Sequence, residues 1–405
     1  MTERGMRNMK AKMHMAVIIS MFCVSLCACQ GAPTPDSGNA GETDGQAGGG
    51  QTESGPDEMG EQSPDDGGGE QEASGRSLTE EELQTFTEEL GADENFGFLY
   101  SVYADPSEID LEQVFYCGAG IATEPMSDEE VRAYLSVTGY DEIYTDVTRI
   151  EKADLEEFVL KKTGMTYDQM KQPLEWVYLE EYDIYCNEHG DTNYQPYVCV
   201  AGWTADETTF TLRCHPDMSY LSLEDDGYRV MDCELTVQKQ DDGYRFLSNR
   251  MLTEEGLIED QTFSVTVPEH GEVTIAAYEP NEGTPQADVT FVMLGKNGQV
   301  IQVLSGSHGY NIRAAAEAFA GVAAVGFRDY NGDGLMDLIT ITDYSYIQGP
   351  DVGTGFEEIR IYSGNEYGYF YYEEDLSAFI NAECTDYTIQ GVCDFLSNGV
   401  LGAEE

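Results

Sequence analysis

The chain has 405 residues and a formal net charge of −57, a field that repels both nucleic acid and, by electrostatics alone, anionic membrane. Its 41% hydrophobic residues are nevertheless enough, at this length, to give two domains their own cores. Ten cysteines suit an exported protein better than a cytosolic one.

Arg4, Arg7, Lys10 and Lys12 make a basic start, followed by a mainly apolar run from Met15 to Leu26. That run is too short to span a bilayer as a helix and suits the apolar core of a signal peptide. It ends in Leu26-Cys27-Ala28-Cys29, which resembles a bacterial lipobox: Leu at −3, a small residue at −1 and the cysteine that is diacylated before cleavage. The resemblance implies that residues 1–28 are removed and that Cys29 carries lipid. The mature protein is then held on the extracellular face of the cell membrane by that anchor. Cys23 and Cys27 lack the preceding pattern. The removed segment holds four basic residues and one acid, so the charge of the remainder becomes −60.

Residues 29–76 read as a disordered acidic tether rich in Gly, Ser and Pro. After Cys29 the stretch has no aromatic residue and cannot bury enough apolar area to offset its ordering entropy. As a Gly-rich coil it reaches about 35–45 Å root-mean-square.

Folded structure is expected from Ser77. Thr79-Glu80-Glu81-Glu82 is a capping box, and Leu83, Phe86 and Leu90 follow at helical spacing before Gly91. Ser127-Asp128-Glu129-Glu130 opens a second helix through Val131, Tyr134 and Leu135 to Gly139, and a third runs from about Asp154 to Lys162, stopped by Gly164. From about Tyr194 the period becomes alternating. Tyr197–Trp203, Thr208–Cys214, Tyr228–Gln238 and Tyr244–Ser248 read as strands of an antiparallel meander, with Asp226-Gly227 and Asp242-Gly243 as turns. Helices followed by strands imply an α+β domain over 77–253. This arrangement resembles uncharacterised surface lipoproteins of Gram-positive bacteria, its strand half an NTF2-type sheet, and the resemblance implies no activity.

A second, β-rich α+β domain is expected over 260–402. Phe263–Val267, Val273–Ala277, Asp288–Leu294 and Gln299–Leu304 read as strands, with Lys296-Asn297-Gly298 as a turn. The Ala-rich Ile312–Phe319 reads as a helix, followed by strands at about 338–343 and 357–362 and a short acidic helix from Leu376.

The sharpest chemical signal is Asp329-Tyr330-Asn331-Gly332-Asp333-Gly334-Leu335-Met336-Asp337, which reads D-x-N-x-D-G-x-x-D. Ca²⁺ takes six to eight hard oxygen ligands, and alternate residues of a tight loop can aim several at one point. Gly334 stands where an EF-hand needs its sharp turn, but the twelfth position is Thr340 rather than Glu. The apolar Val325-Gly326-Phe327 leads in and the β-branched run from Leu338 to Thr342 leads out, so this is a strand–loop–strand site. The combination resembles the calcium loops of FG-GAP and VCBS-type repeats, found in β-propellers. The resemblance implies a structural Ca²⁺ held by Asp329, Asn331, Asp333, the Leu335 carbonyl and Asp337. With one copy of the motif the chain is no propeller.

After cleavage the cysteines are Cys29, Cys117, Cys186, Cys199, Cys214, Cys233, Cys384 and Cys393. Cys384 and Cys393 are close enough in sequence to bridge. The five in the first domain are an odd number, so one stays free or pairs between chains. Cys186-x-x-His189 with Cys214-His215 departs from the usual zinc spacings. No H-E-x-x-H, G-x-S-x-G, phosphate loop or dinucleotide fingerprint is present, and Ser305 to Gly309 reads as a loop. The stripe Tyr367, Tyr369, Phe370, Tyr371 and Tyr372 reads as a strand with core on one face and half-buried tyrosines on the other. The sequence thus implies a non-catalytic surface lipoprotein whose calcium site supports a surface for polysaccharide or protein, with no nucleic-acid partner. The alternative is a surface hydrolase with an acidic site that the sequence does not locate.

Overall fold

Thr79 and Ser127 start their helices as their spacing predicts. Each side chain accepts the N–H three residues on, and Glu82 and Glu130 reach back to the cap N–H groups. The computed structural model describes residues 75–399 apart from 117, 122–123, 190–195, 205, 218–226, 282–286, 305 and 307–310. The signal peptide 1–28, Cys29, the tether to residue 74, Cys117, Asp226 and the serine–histidine pair Ser307-His308 lie outside the described residues.

Helices α1 (Glu80–Leu90), α2 (Gly97–Tyr100), α3 (Leu111–Phe115), α4 (Asp128–Thr138) and α5 (Lys152–Thr163) make up the first part. Gly139 and Gly164 end α4 and α5 in the left-handed conformation, where a side chain would be strained. Three short strands, β1 (Val147–Glu151), β2 (Val177–Leu179) and β3 (Ile184–Glu188), form an antiparallel sheet in the order β1-β3-β2 against α4. The sequence reading has no counterpart for them. At three to five residues each, with charges inside β1 and β3, they are too short to show a period.

The expected meander follows as β4 (Tyr197–Thr204), β5 (Thr209–Pro216), β6 (Cys233–Gln240) and β7 (Gly243–Met251), antiparallel in sequence order. The third strand starts at Cys233 rather than Tyr228, since Tyr228 to Asp232 carries no strand pairing. Alternation along these strands puts Leu212, Cys214, Cys233, Leu235, Val237 and Phe246 on one buried face, against Phe86 and Leu90 of α1 and Leu155 and Phe158 of α5. Phe98 of α2 stacks on Phe246 with ring centroids 4.0 Å apart. Asn249 pins β7 to the turn after α2. It is fully buried, and its amide donates to the carbonyls of Leu99 (3.1 Å) and Ser101 (2.9 Å).

The second part is a sandwich. One sheet has the order β11-β10-β9-β8, from β8 (Phe263–Val267), β9 (Gly271–Tyr278), β10 (Thr290–Leu294) and β11 (Val300–Val303). The other has the order β12-β13-β14-β15, from β12 (Glu317–Arg328), β13 (Asp337–Tyr346), β14 (Gly355–Gly364) and β15 (Phe370–Tyr372). Their facing sides share a core of Ile275, Phe291, Met293, Leu338, Tyr362 and Phe370. The far side of the second sheet presents Ile339, Ile341, Ile359 and Ile361 to α6 (Glu374–Glu383) and α7 (Ile389–Gly399). The far side of the first sheet, at Ala276, Tyr278, Val292 and Leu294, meets Met231, Met251 and Leu257, so the two parts of the chain share a packed layer. Gln302 of β11 closes one end, its amide donating to the Phe370 carbonyl and its oxygen accepting the Phe370 N–H.

The helix expected over Ile312–Phe319 is not formed. Ile312 makes a single bridge to Ala287, a turn follows, and β12 begins at Glu317. Small residues suit this strand because α7 lies close to it: a Cβ on Gly326 would come within 2.6 Å of Ile389 Cγ2. The cross-strand pairing to β13 outweighs the weak helix preference of alanine. The stripe at 367–372 is a strand only from Phe370: Tyr367 and Tyr369 lie in the turn before β15, Phe370 supplies core as expected, and Tyr371 is exposed rather than half-buried.

Asn249→Ala is expected to lower stability by about 2–3 kcal/mol, because the carbonyls it serves are then buried without a donor. Urea unfolding of the variant beside wild type measures this; an unchanged midpoint would show that these carbonyls find other donors.

Candidate metal centre

The loop between β12 and β13 is held by its own side chains. The strands pair down to Arg328 opposite Asp337, and the chain turns over Asp329 to Met336. The two Asp329 oxygens accept the N–H groups of Gly332 (2.7 Å) and Gly334 (2.9 Å). Asn331 accepts from the Asp333 N–H at 3.0 Å, and Asp333 from the Leu335 N–H at 2.8 Å. Gly332 and Gly334 have φ of +77° and +86°, where glycine alone is unstrained, as the expected turn at Gly334 requires.

Asp337 is buried, and its oxygens accept the N–H groups of Tyr330 (3.1 Å) and of Gly364 on β14 (2.9 Å). It therefore ties the loop to a third strand. The contact is close, since a Cβ on Gly364 would lie 2.1 Å from the Met336 carbonyl oxygen. Burial pushes the Asp337 carboxyl above its ordinary range against the pull of those N–H groups, and the charges of Asp333 and Asp329 push it further. These three carboxylates thus repel one another across the loop, the condition a divalent cation relieves. Their hydrogen bonds leave further oxygen lone pairs on each, so the donor chemistry fits Ca²⁺. Among the described residues, no three His, Cys, Asp or Glu side chains are placed to hold a metal ion, Asp329, Asp333 and Asp337 included. Asn331 and the Leu335 carbonyl would have to complete any oxygen set here.

The zinc spacing is not brought together. His189 closes β3, stacked on Tyr116 with its Nε2 3.1 Å from the Thr148 hydroxyl, whereas Cys214 and His215 lie on β5 in another sheet and alternate between its faces. Cys384 and Cys393, close enough in sequence to bridge, are both thiols in the structure, and Cys384 donates to the Asp386 carbonyl.

Two charged networks went unread in the sequence. His215 Nδ1 lies 2.6 Å from Asp232, whose other oxygen accepts from Arg213, and Arg213 also bonds Glu255 at 2.7 Å. An Asp-oriented histidine has general-base character, but Asp232 is shared with a guanidinium, which makes this an ion network first. The second network crosses the sandwich. Asp288 is buried beneath Arg360 (2.5 Å) and the Tyr344 hydroxyl, while Arg313 bonds Glu358 and Glu317 (both 2.7 Å) and lies 3.8 Å over the Tyr344 ring. Its one trace in the sequence is an arginine inside the apolar run from Ile359 to Tyr362.

Burial pushes the carboxyls of Asp232 and Glu358 up, but their basic partners outweigh it and hold both below the ordinary range. A depressed carboxyl stabilises the fold above its unfolded pKa, about 3.9 for Asp and 4.3 for Glu, and that stability is lost as pH falls through the folded value. Thermal melts from pH 6 to 3 should show a smaller loss for Asp232→Asn than for wild type; an equal loss would mean that the Arg213 and His215 contacts do not stabilise the charge. Compared with protein-family models, curated proteins and solved structures, the chain matches none of them.

Proposed function

We propose that this chain is a membrane-anchored extracellular lipoprotein, non-catalytic, in which Ca²⁺ on the 329–337 loop supports a binding surface for polysaccharide or protein. The observation that carries the calcium reading is Asp337: a carboxylate joined to β14 through Gly364 and pushed up first by its burial and then by the charges of Asp333 and Asp329. Asp329, Asn331, Asp333, the Leu335 carbonyl and Asp337 would hold the ion, which would supply charge neutralisation and no reaction step. The loop joins the edge strand β12 to β13, so its rigidity sets how that edge is presented. At the other edge Tyr371 of β15 is exposed and offers an aromatic face to a sugar or a side chain. The anchor rests on the basic start, the short apolar run and Leu26-Cys27-Ala28-Cys29. No helix among the described residues is long and apolar enough to cross a membrane.

With three carboxylates and no glutamate at the twelfth position, Ca²⁺ should bind weakly, on the order of 10⁻⁴–10⁻³ M, the range of extracellular modules. Binding to the folded form adds about 1.4 kcal/mol at ten times Kd. Melting of the chain lacking residues 1–28 in EDTA and in millimolar Ca²⁺ should show an upward shift, reduced in Asp329→Ala and Asp333→Ala. A wild-type melt indifferent to Ca²⁺, or the same shift in both variants, would leave an acidic turn. For the anchor, Cys29→Ala should release the protein from membranes or leave an unprocessed precursor. Lipid still present on the variant by mass spectrometry would place the modification elsewhere.

A further inference from the structure

Three cysteines of the first part stand side by side across three strands. Cys199 on β4 is directly opposite Cys214 on β5, which is directly opposite Cys233 on β6. All three are thiols in the structure, buried in the core that α1 and α5 cover, and the Cys199 and Cys214 sulfurs are 3.7 Å apart.

The backbone distinguishes the two pairs. The Cys199 N–H is turned away from β5 and donates to the Thr87 hydroxyl of α1 at 2.9 Å, so Cys199 and Cys214 form a non-hydrogen-bonded pair. In such a pair the Cα atoms are about 4.5 Å apart, at the short end of the span a disulfide takes, and a hydrogen-bonded pair at about 5.5 Å lies within it too. The 3.7 Å contact between the sulfurs, rather than the Cα spacing, therefore singles out Cys199 and Cys214. The N–H and C=O of Cys214 then point to β6, which makes Cys214–Cys233 the wider, hydrogen-bonded pair, whose thiols are also in hydrogen-bond contact. The far side of β6 agrees. Leu252 N–H donates to the Asp232 carbonyl and Asn249 N–H points outward to Tyr103, so Cys233 faces Met251 in a non-hydrogen-bonded pair and turns its own bonds toward β5.

We propose that Cys199 and Cys214 are a disulfide-forming pair, joined by a low-molecular-weight or protein disulfide during folding, while Cys233 stays a thiol. Cys199 is on the edge strand and is the more exposed of the two, at 6% against 0%, so it meets the oxidant first. Its thiolate attacks one sulfur of the oxidant, a thiolate leaves, and a mixed disulfide remains. The Cys214 thiolate then attacks the Cys199 sulfur and expels the second thiolate. Two protein thiols are oxidised, one external disulfide is reduced, and the two protons pass to the released thiolates. The hydrogen bond with Cys214, and then burial, raise the Cys199 thiol, so exchange is slow once α1 has closed over β4. The bond therefore belongs to folding. It requires the oxidising compartment that the export reading implies, and it does not depend on Ca²⁺.

The test refolds the chain lacking residues 1–28 from denaturant in a cystine/cysteine buffer, alkylates it without reduction and digests it with trypsin. Cleavage after Arg213 and Arg229 places Cys199, Cys214 and Cys233 on three separate peptides, and fragmentation separates Cys199 from Cys186 on the first. The expected result is a peptide linked through Cys199 and Cys214, about 2 Da lighter than the two thiol peptides together, with Cys233 alkylated. Cys233→Ala should keep the link, and Cys199→Ala should leave Cys214 alkylated. Three alkylated cysteines in the wild-type protein, or a link from Cys214 to Cys233 or Cys186, would overturn the proposal. The wild-type map alone decides it, even where a variant fails to fold.

Discussion

Leu338 faces the first sheet of the sandwich while Ile339, Ile341, Ile359 and Ile361 face α6 and α7, so the paired stretches 338–342 of β13 and 359–362 of β14 have no solvated side. A pair buried on both faces cannot shift its register by one residue without exchanging its entire set of contacts. That constraint fixes the ends of the strands, and with them the start of Asp337 and the position of Gly364 opposite it. The acidic loop is therefore carried on one of the best-determined parts of the backbone, although the loop itself is exposed. Its glycines release the turn, and Asp337 anchors it.

The same burial makes the chain's few basic residues valuable. A protein with 20 Lys and Arg against 77 acids has little to neutralise a buried carboxylate. Arg360 and Arg313 are spent inside the sandwich on Asp288, Glu358 and Glu317. Lys162 is buried in the first part with its amine on Asn95, and burial lowers its pKa to about 8. Breaking one pair in such a network leaves an uncompensated charge in a low-dielectric interior. They give the sandwich a polar end near Asp288 and Tyr344 and an apolar end near Leu338 and Phe370, so the two sheets fit together in one orientation.

Much of the local structure was legible because its causes are local. Thr79 with Glu82, Ser127 with Glu130, and the glycines at 139 and 164 set helix ends through bonds and dihedrals spanning only a few residues. Phe263–Val267 stands as it was read, and the loop between Phe327 and Leu338 is the expected strand–loop–strand turn. Misreadings occurred where a distant partner decides. Ile312–Phe319 has the composition of a helix, yet β12 forms because β13 offers it a ladder and α7 needs small residues beneath it. β1 to β3 are too brief to announce themselves, and become strands only by pairing with one another.

The cysteines and charges mark the same division. Their positions along the chain allowed a bridge between Cys384 and Cys393 and said nothing of Cys199 and Cys214, whose sulfurs the meander sets 3.7 Å apart. By itself the sequence determined the helix caps, the turn glycines, the alternation of the meander and the spacing of loop oxygens at Asp329, Asn331, Asp333 and Asp337. All of these act over fewer than ten residues. Tertiary structure alone decided which strands pair, that Asp337 is buried against Gly364, and that Asp288 lies beneath Arg360, 72 positions away. Contacts over such separations depend on register and layer packing, which no short stretch of chain specifies.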